Sequence, residues 1–369
     1  MCVCVSTFLF SHFLIGQKLT SFNFDNPTRG IDVKELNDGG YLLTGNVFYP
    51  ENGRASSVLI KTNATGELLW KKSIDSEGSS FGWSLMELND HYYLLGFSDL
   101  NDTTRVLLTK TNQDGGVVWE RKYGDATSQI GWSLLSRGEN LLIIGETTTE
   151  SGKKSAWIFN VDQDGNMSWE SETGMENNME RTFYGSEVSR KDIIVAGINA
   201  KQEKVDDDIL AMRIDGKGKI VWKKIVEVGK KRDVGHAVKT YGKNAYVYGY
   251  YQLDSIFNPV VTQISITGKD SKVIKIQMPE HDVRIMNGEK TDEGHVLVGY
   301  SRGPEDQFFK ACILEVSDDG ELISYNTYGE RGLNTFYGIR KTSFGYAIAG
   351  SVTKNGKAEL TLVLLGEGN

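Results

Sequence analysis

Short apolar runs alternate with clusters of Gly, Asn and Asp along almost the whole chain. No stretch sustains the 3.6-residue apolar period of a helix, so the pattern predicts strands joined by tight turns. The first full copy shows the style. Ile31–Leu36 leads into the turn Asn37-Asp38-Gly39-Gly40 and then Tyr41–Gly45. After a polar connection come Val58–Thr62, the turn Asn63-Ala64-Thr65-Gly66, and Leu68–Ile74. Branched and aromatic residues fill the runs and turn formers fill the joints, as antiparallel hairpins require.

The runs repeat. YLLTG, YYLLG, LLIIG, IIVAG, YVYG, VLVG and YAIAG end at Gly45, Gly96, Gly145, Gly197, Gly249, Gly299 and Gly350, one copy every 49 to 52 residues. Four strands in about fifty residues make a sheet that is apolar on both faces, and such sheets bury themselves by stacking around an axis. The pattern therefore predicts an all-β, seven-bladed β-propeller with four antiparallel strands per blade. Trp70, Trp119, Trp169 and Trp222 each follow the glycine of the second turn by four residues and are expected to pack between blades. Val273 and Ser324 stand near that slot in copies five and six, which are expected to be looser. Copy seven has Tyr337–Arg340, Tyr346–Gly350 and Leu360–Leu364 but lacks a fourth strand. The segment Leu19–Asp25 aligns with the fourth strand Leu69–Asp75, so the N-terminal strand is expected to complete the last blade and close the ring.

The repeat pattern is G-G-Y followed by three apolar residues and G, then apolar-K/R-x-D/N-x-x-G-x-x-x-W-x-K. It resembles the repeats of secreted bacterial and archaeal seven-bladed propeller proteins. Copies such as ATGELLWKKSID (64–75) and QDGNMSWESETG (163–174) are also similar to the blades of quinoprotein dehydrogenases. The resemblance spans residues 18–369 and implies a fold rather than an activity.

Composition narrows the class. The chain has 369 residues, 41 of them glycine and only 5 proline, with a formal charge of −8 and no basic run. Nucleic-acid binding is not expected. Residues 1–16, MCVCVSTFLFSHFLIG, are apolar and too short to span a bilayer, but suit the core of a signal peptide. The expected organisation is thus a leader at 1–16 and a single propeller at 17–369, secreted to an extracellular or periplasmic space, monomeric, with no membrane span. Loss of the leader would remove Cys2 and Cys4 and leave Cys312, read as a buried small apolar residue.

The hairpins on one face, such as Asn89-Asp90 and Gln113-Asp114-Gly115, are short and uniform. The opposite face carries connections read as longer and dissimilar: Asn46–Ala55, Thr173–Arg181, Asn199–Asp206, Tyr251–Asn258 and Ser301–Gln307. Variable loops on a rigid scaffold are where ligands bind. Residues opening the innermost strands should ring the channel mouth there: Arg29, Trp83, Trp132, Tyr184, His236, Arg284 and Tyr337. Aromatic rings with cationic neighbours suit a sugar, an aromatic or an anion, although the two Trp also read as interblade wedges. Asp206, Asp207 and Asp208 are a weak divalent-cation candidate, and the five histidines show no ligand spacing. With no phosphate loop, nucleophile elbow or Cys/His pair, no cofactor is expected. The leading expectation is a non-catalytic binding or scaffold propeller for a protein or glycan ligand. The alternative is a propeller enzyme of quinoprotein or carbohydrate-active type.

Overall fold

The computed structural model describes residues 17–173, 178–188, 192–201 and 206–366. The expected leader lies outside the described residues, as do parts of the connections at 174–177 and 202–205. The described residues form 28 strands and no helix. They group into seven antiparallel four-strand units. Hydrogen bonding links these into six sheets, because the units running Ser79–Tyr123 and Ser128–Thr173 share one parallel bridge, Thr104 to Ser128.

Burial follows position within a unit. The second and third strands of the first blade, Tyr41–Tyr49 and Arg54–Thr62, are buried along most of their length. The fourth, Leu68–Ile74, is mostly exposed. Continuous apolar runs therefore mark strands covered on both faces by neighbouring blades. Each innermost strand packs beside the next: Thr28–Glu35 touches both Ser79–Leu88 and Thr335–Thr342, so the ring is closed.

The seam is made by the chain's two ends. Gln17–Phe22 pairs antiparallel with Lys357–Gly366, from Gln17 opposite Leu365 to Phe22 opposite Leu360. Phe22 is buried in a cluster with Leu360, Leu362 and Ala347 of its own blade and Val33, Tyr41 and Ile60 of the first. Leu19 is 42 % exposed, because its side chain falls on the outer face of an edge strand.

The repeated Trp packs against the next blade's turn glycine. A Cβ on Gly115 would meet the Trp70 ring at 2.9 Å, and one on Gly218 the Trp169 ring at 2.7 Å. In blade five Ile274, rather than Val273, lies under the following glycine, Gly320. In blade six Ser324 fills nothing, and a cavity of about 230 Å³ remains beside Gln17, Ile313 and Leu365. Cys312 is fully buried.

Two of the connections expected to be long, Asn46–Ala55 and Tyr251–Asn258, are mostly strand, whereas the chain between Arg302 and Lys310 is a loop as expected. The first blade's second strand runs to Tyr49 and its third resumes at Arg54; in blade five the break is only between Leu253 and Ile256. Asn101-Asp102 and Asn355-Gly356 turn in two residues with positive φ throughout, the I′ hairpin geometry. Polar residues that read as loop are instead hydrogen-bonded within the sheets and between blades. Asn46 is buried and its Oδ1 accepts the Gly82 N–H at 2.7 Å, while the buried Ser301 hydroxyl lies 2.7 Å from the Tyr325 hydroxyl.

Candidate functional site

Every first strand carries a β-bulge at the same register. The ladder shifts between Gly30 and Asp32, Gly82 and Ser84, Gly131 and Ser133, Thr182 and Tyr184, Gly235 and Ala237, Ile285 and Asn287, and Phe336 and Gly338. A bulge sets two residues against one and re-aims the extra side chain. The extra residues are Ile31, Trp83, Trp132, Phe183, His236, Met286 and Tyr337. All seven line one cavity of about 280 Å³ at the centre of the ring.

The repeat glycines are what make this possible. Each sits opposite the bulge, and a Cβ there would approach the carbonyl oxygen of the residue two before the bulged one to under 3.0 Å. For Gly96 that oxygen belongs to Phe81, and for Gly249 to Val234. The obstruction is backbone, which no rotamer change relieves. The most regular feature of the sequence is therefore the seat of the bulge that delivers the cavity wall.

Aromatic rings run around most of that wall. Tyr337 lies 6.4 Å from Trp83, Trp83 meets Trp132 edge-on at 4.6 Å, Trp132 meets Phe183 at 5.9 Å, and Phe183 stacks on His236 at 5.3 Å. Burial holds the His236 imidazole neutral, with its pKa lowered to about 4, and Arg181 pushes the same way.

A polar floor closes the cavity one and three residues deeper. Asp32 accepts from Arg340 at 2.9 Å and from the Ser84 hydroxyl at 3.3 Å. Lys239 pairs with Glu289 at 2.6 Å. The Tyr184 ring packs under both cations, 5.3 Å from Arg340 and 5.8 Å from Lys239. Burial pushes its hydroxyl pKa up. Burial also lowers the Lys239 ammonium pKa to about 8 despite the Glu289 partner, with Arg340 adding to the effect.

Three arginines occupy one register, two residues before the bulge, in blades one, four and six. Arg181 is ion-paired to the buried Glu146 at 2.7 Å. Arg284 bonds Asp282 and the Tyr300 hydroxyl, each at 3.4 Å, within a cage of Phe257, Tyr300 and Phe309. Arg29 differs. Its guanidinium lies over Tyr337 at 4.5 Å and Trp83 at 5.9 Å, and no described carboxylate pairs it. Its Nε is buried without a hydrogen-bond partner. Burial lowers its pKa while Tyr300 opposes that shift.

Six of the seven ring residues read from the sequence line the cavity: Arg29, Trp83, Trp132, Tyr184, His236 and Tyr337. Arg284 does not; it sits one layer back, behind Tyr300. Sequence reasoning missed Ile31, Asp32, Phe183, Met286, Asn287, Tyr300 and Gly338. Counting back 13 or 14 residues from each repeat glycine would have found every bulged residue. Asp207 is ion-paired to Arg232 at 3.0 Å and Asp208 is buried beside Asp233. Among the described residues no group of three or more His, Cys, Asp or Glu is placed to hold a metal ion.

No protein-family model and no curated protein matches the chain. Solved structures do. Phage phi92 endosialidase is similar with a TM-score of 0.57 at 9 % identity, over 96 % of this chain and 69 % of its own. Puromycin hydrolase reaches 0.57 at 10 %, over 88 % and 50 %. The WD40 β-propeller domain of Doa1 reaches 0.52 at 12 %, over 94 % and 97 %. The fold is a β-propeller. At these identities the likeness is one of fold alone, and this propeller shares its architecture with enzymes and with a WD40 domain alike.

Proposed function

We propose that this propeller is a non-catalytic binding protein whose ligand site is the central cavity on the bulge ring. The observation that carries the reading is the convergence of seven bulged residues, one from each blade, on one aromatic-lined space. A bulge that is repeated in every blade and aimed inward is a site-building device rather than a packing accident. Binding is favoured over turnover by the state of the titratable lining groups. Asp32 is tied up in an ion pair with Arg340, and His236 is stacked and held neutral with its pKa lowered to about 4, so the imidazole is not poised as a proton carrier near pH 7. Export of the mature chain, beginning near Gln17, is part of this reading and is checked by N-terminal sequencing of the protein from its host.

A thermal-shift screen against glycans and small aromatic and acidic compounds tests the site. A hit's shift should vanish in Trp83→Ala/Trp132→Ala and persist in Asp114→Ala, which lies in a remote hairpin. A shift that survives the double substitution would place the site elsewhere.

A further inference from the structure

We propose that the central cavity selects a small planar aromatic carboxylate, with the acid on Arg29 and the ring against Trp83, Trp132 and Tyr337. The inference rests on the cavity being a ligand site, and adds the chemical class of the ligand.

The first argument is charge. Of the three arginines at one register, Arg181 is paired with Glu146 and Arg284 bonds Asp282, while Arg29 faces the cavity with only aromatic faces beside it. A guanidinium drawn partly out of water without a carboxylate is costly, and an incoming anion removes that cost. The nearest acid in the wall, Asp32, is occupied by Arg340, by Ser84 and by the Val33 and Leu85 amides.

The second argument is hydrogen-bond polarity. Arg29 Nε and Trp132 Nε1 of the lining are buried without a hydrogen-bond partner. Both are donors only. The Asn287 Oδ1 acceptor is taken by the Gly288 amide. The unpaired buried atoms of the wall thus ask for an acceptor, which together with the Arg29 charge favours an anion over an ammonium.

The third argument is shape and size. A cavity of about 150 Å³ accommodates a benzene-sized ring. The space here is about 280 Å³, enough for one or two fused rings with a short acid arm. Flat rings favour a flat partner in stacked or edge contact. A planar carboxylate can meet the guanidinium fork through two parallel N–H···O bonds.

Tryptophan-fluorescence quenching and calorimetry on the full chain test this with phenylacetate and indole-3-acetate, their neutral amides, and phenethylamine. Both acids should bind, the amides about 30-fold more weakly or worse, and the amine not at all. Arg29→Met keeps the apolar stem and breaks no hydrogen bond of Arg29. It should not lower the melting temperature and should bring acid and amide to equal affinity; Arg29→Lys should keep part of the preference. Amides that bind as well as acids, or an Arg29→Met protein with undiminished acid affinity, would overturn the inference. So would failure of both acids to bind at about 10 mM. The cavity itself is judged separately: amide quenching lost in Trp83→Ala keeps the site while discarding the acid.

Discussion

If the repeat glycines exist to seat the bulges, replacing one with alanine should damage both the fold and the cavity. Gly96→Ala is the sharpest case. Its Cβ would lie against the Phe81 carbonyl and close to Gly82 Cα, both backbone. Overfilling a packed interior ordinarily costs about 1–3 kcal/mol when side chains can move aside. Here they cannot, so about 3 kcal/mol is the reasonable figure. Against it stands about 0.4–1 kcal/mol of stabilisation, because alanine restricts the unfolded chain more than glycine does. The net loss is therefore about 2–3 kcal/mol. With an unfolding entropy of about 2.1 cal/mol/K per residue, a 369-residue chain loses about 3–4 °C in melting temperature. The specific signature lies beside the bulge: straightening it would turn Trp83 away from Trp132, now 4.6 Å distant, and change tryptophan emission and near-ultraviolet dichroism. Gly53→Asn is the control, since Gly53 has φ +69° with open space around it and asparagine tolerates that conformation. A Gly96→Ala protein that melts within about 1 °C of the parent with unaltered tryptophan spectra would refute the reasoning.

Two further outcomes follow from the same structure. Burial lowers the pKa of both His236 and His295 to about 4. The unfolded chain therefore gains protons below about pH 6.5 while the folded one does not, and stability should fall between pH 6.5 and 4 by up to about 1.4 kcal/mol per pH unit per imidazole. Melting curves across that range should show the slope, and His236→Gln should flatten it; a pH-independent melting temperature would show that neither ring is desolvated. Deleting residues 1–22 should strip Phe22 from the seam and leave Lys357–Gly366 as an unpaired apolar edge, with aggregation in sedimentation assays. Deleting 1–16 should leave melting and solubility unchanged.

The fold was legible because its cause is periodic. Apolar runs, turn residues and the copy spacing all recur, and the missing fourth strand of copy seven pointed directly at the N-terminal segment that supplies it. Errors came where a local cue competed with sheet context. Asn46, Ser56 and Ser57 read as a polar loop, yet the strands pass through all three, and their side chains bond between strands and to the neighbouring blade. A polar residue whose partner lies in the next blade carries no signature in its own segment.

The site was only half legible, and the reason is geometric. The residues opening each first strand were read as the channel lining, which named Arg29, Tyr184 and Arg284 in blades one, four and six. The bulge turns one further residue inward in every blade, so Ile31, Phe183 and Met286 join the wall in those three, beside Arg29 and Tyr184, while Arg284 stays outside it. The glycine that announces the repeat also announces the bulge, because a side chain opposite it has nowhere to go. It stands 14 residues after Ile31 and Phe183 but 13 after the other five bulged residues. In blade one the hairpin turn at Leu36–Gly40 accounts for the extra residue. What sequence alone could not supply is the state of each charge. Arg29, Arg181 and Arg284 are equivalent in register, and only the positions of Glu146 and Asp282 distinguish them. Specificity in such a ring is then set less by which residues face the axis than by which of them neighbouring carboxylates leave uncompensated.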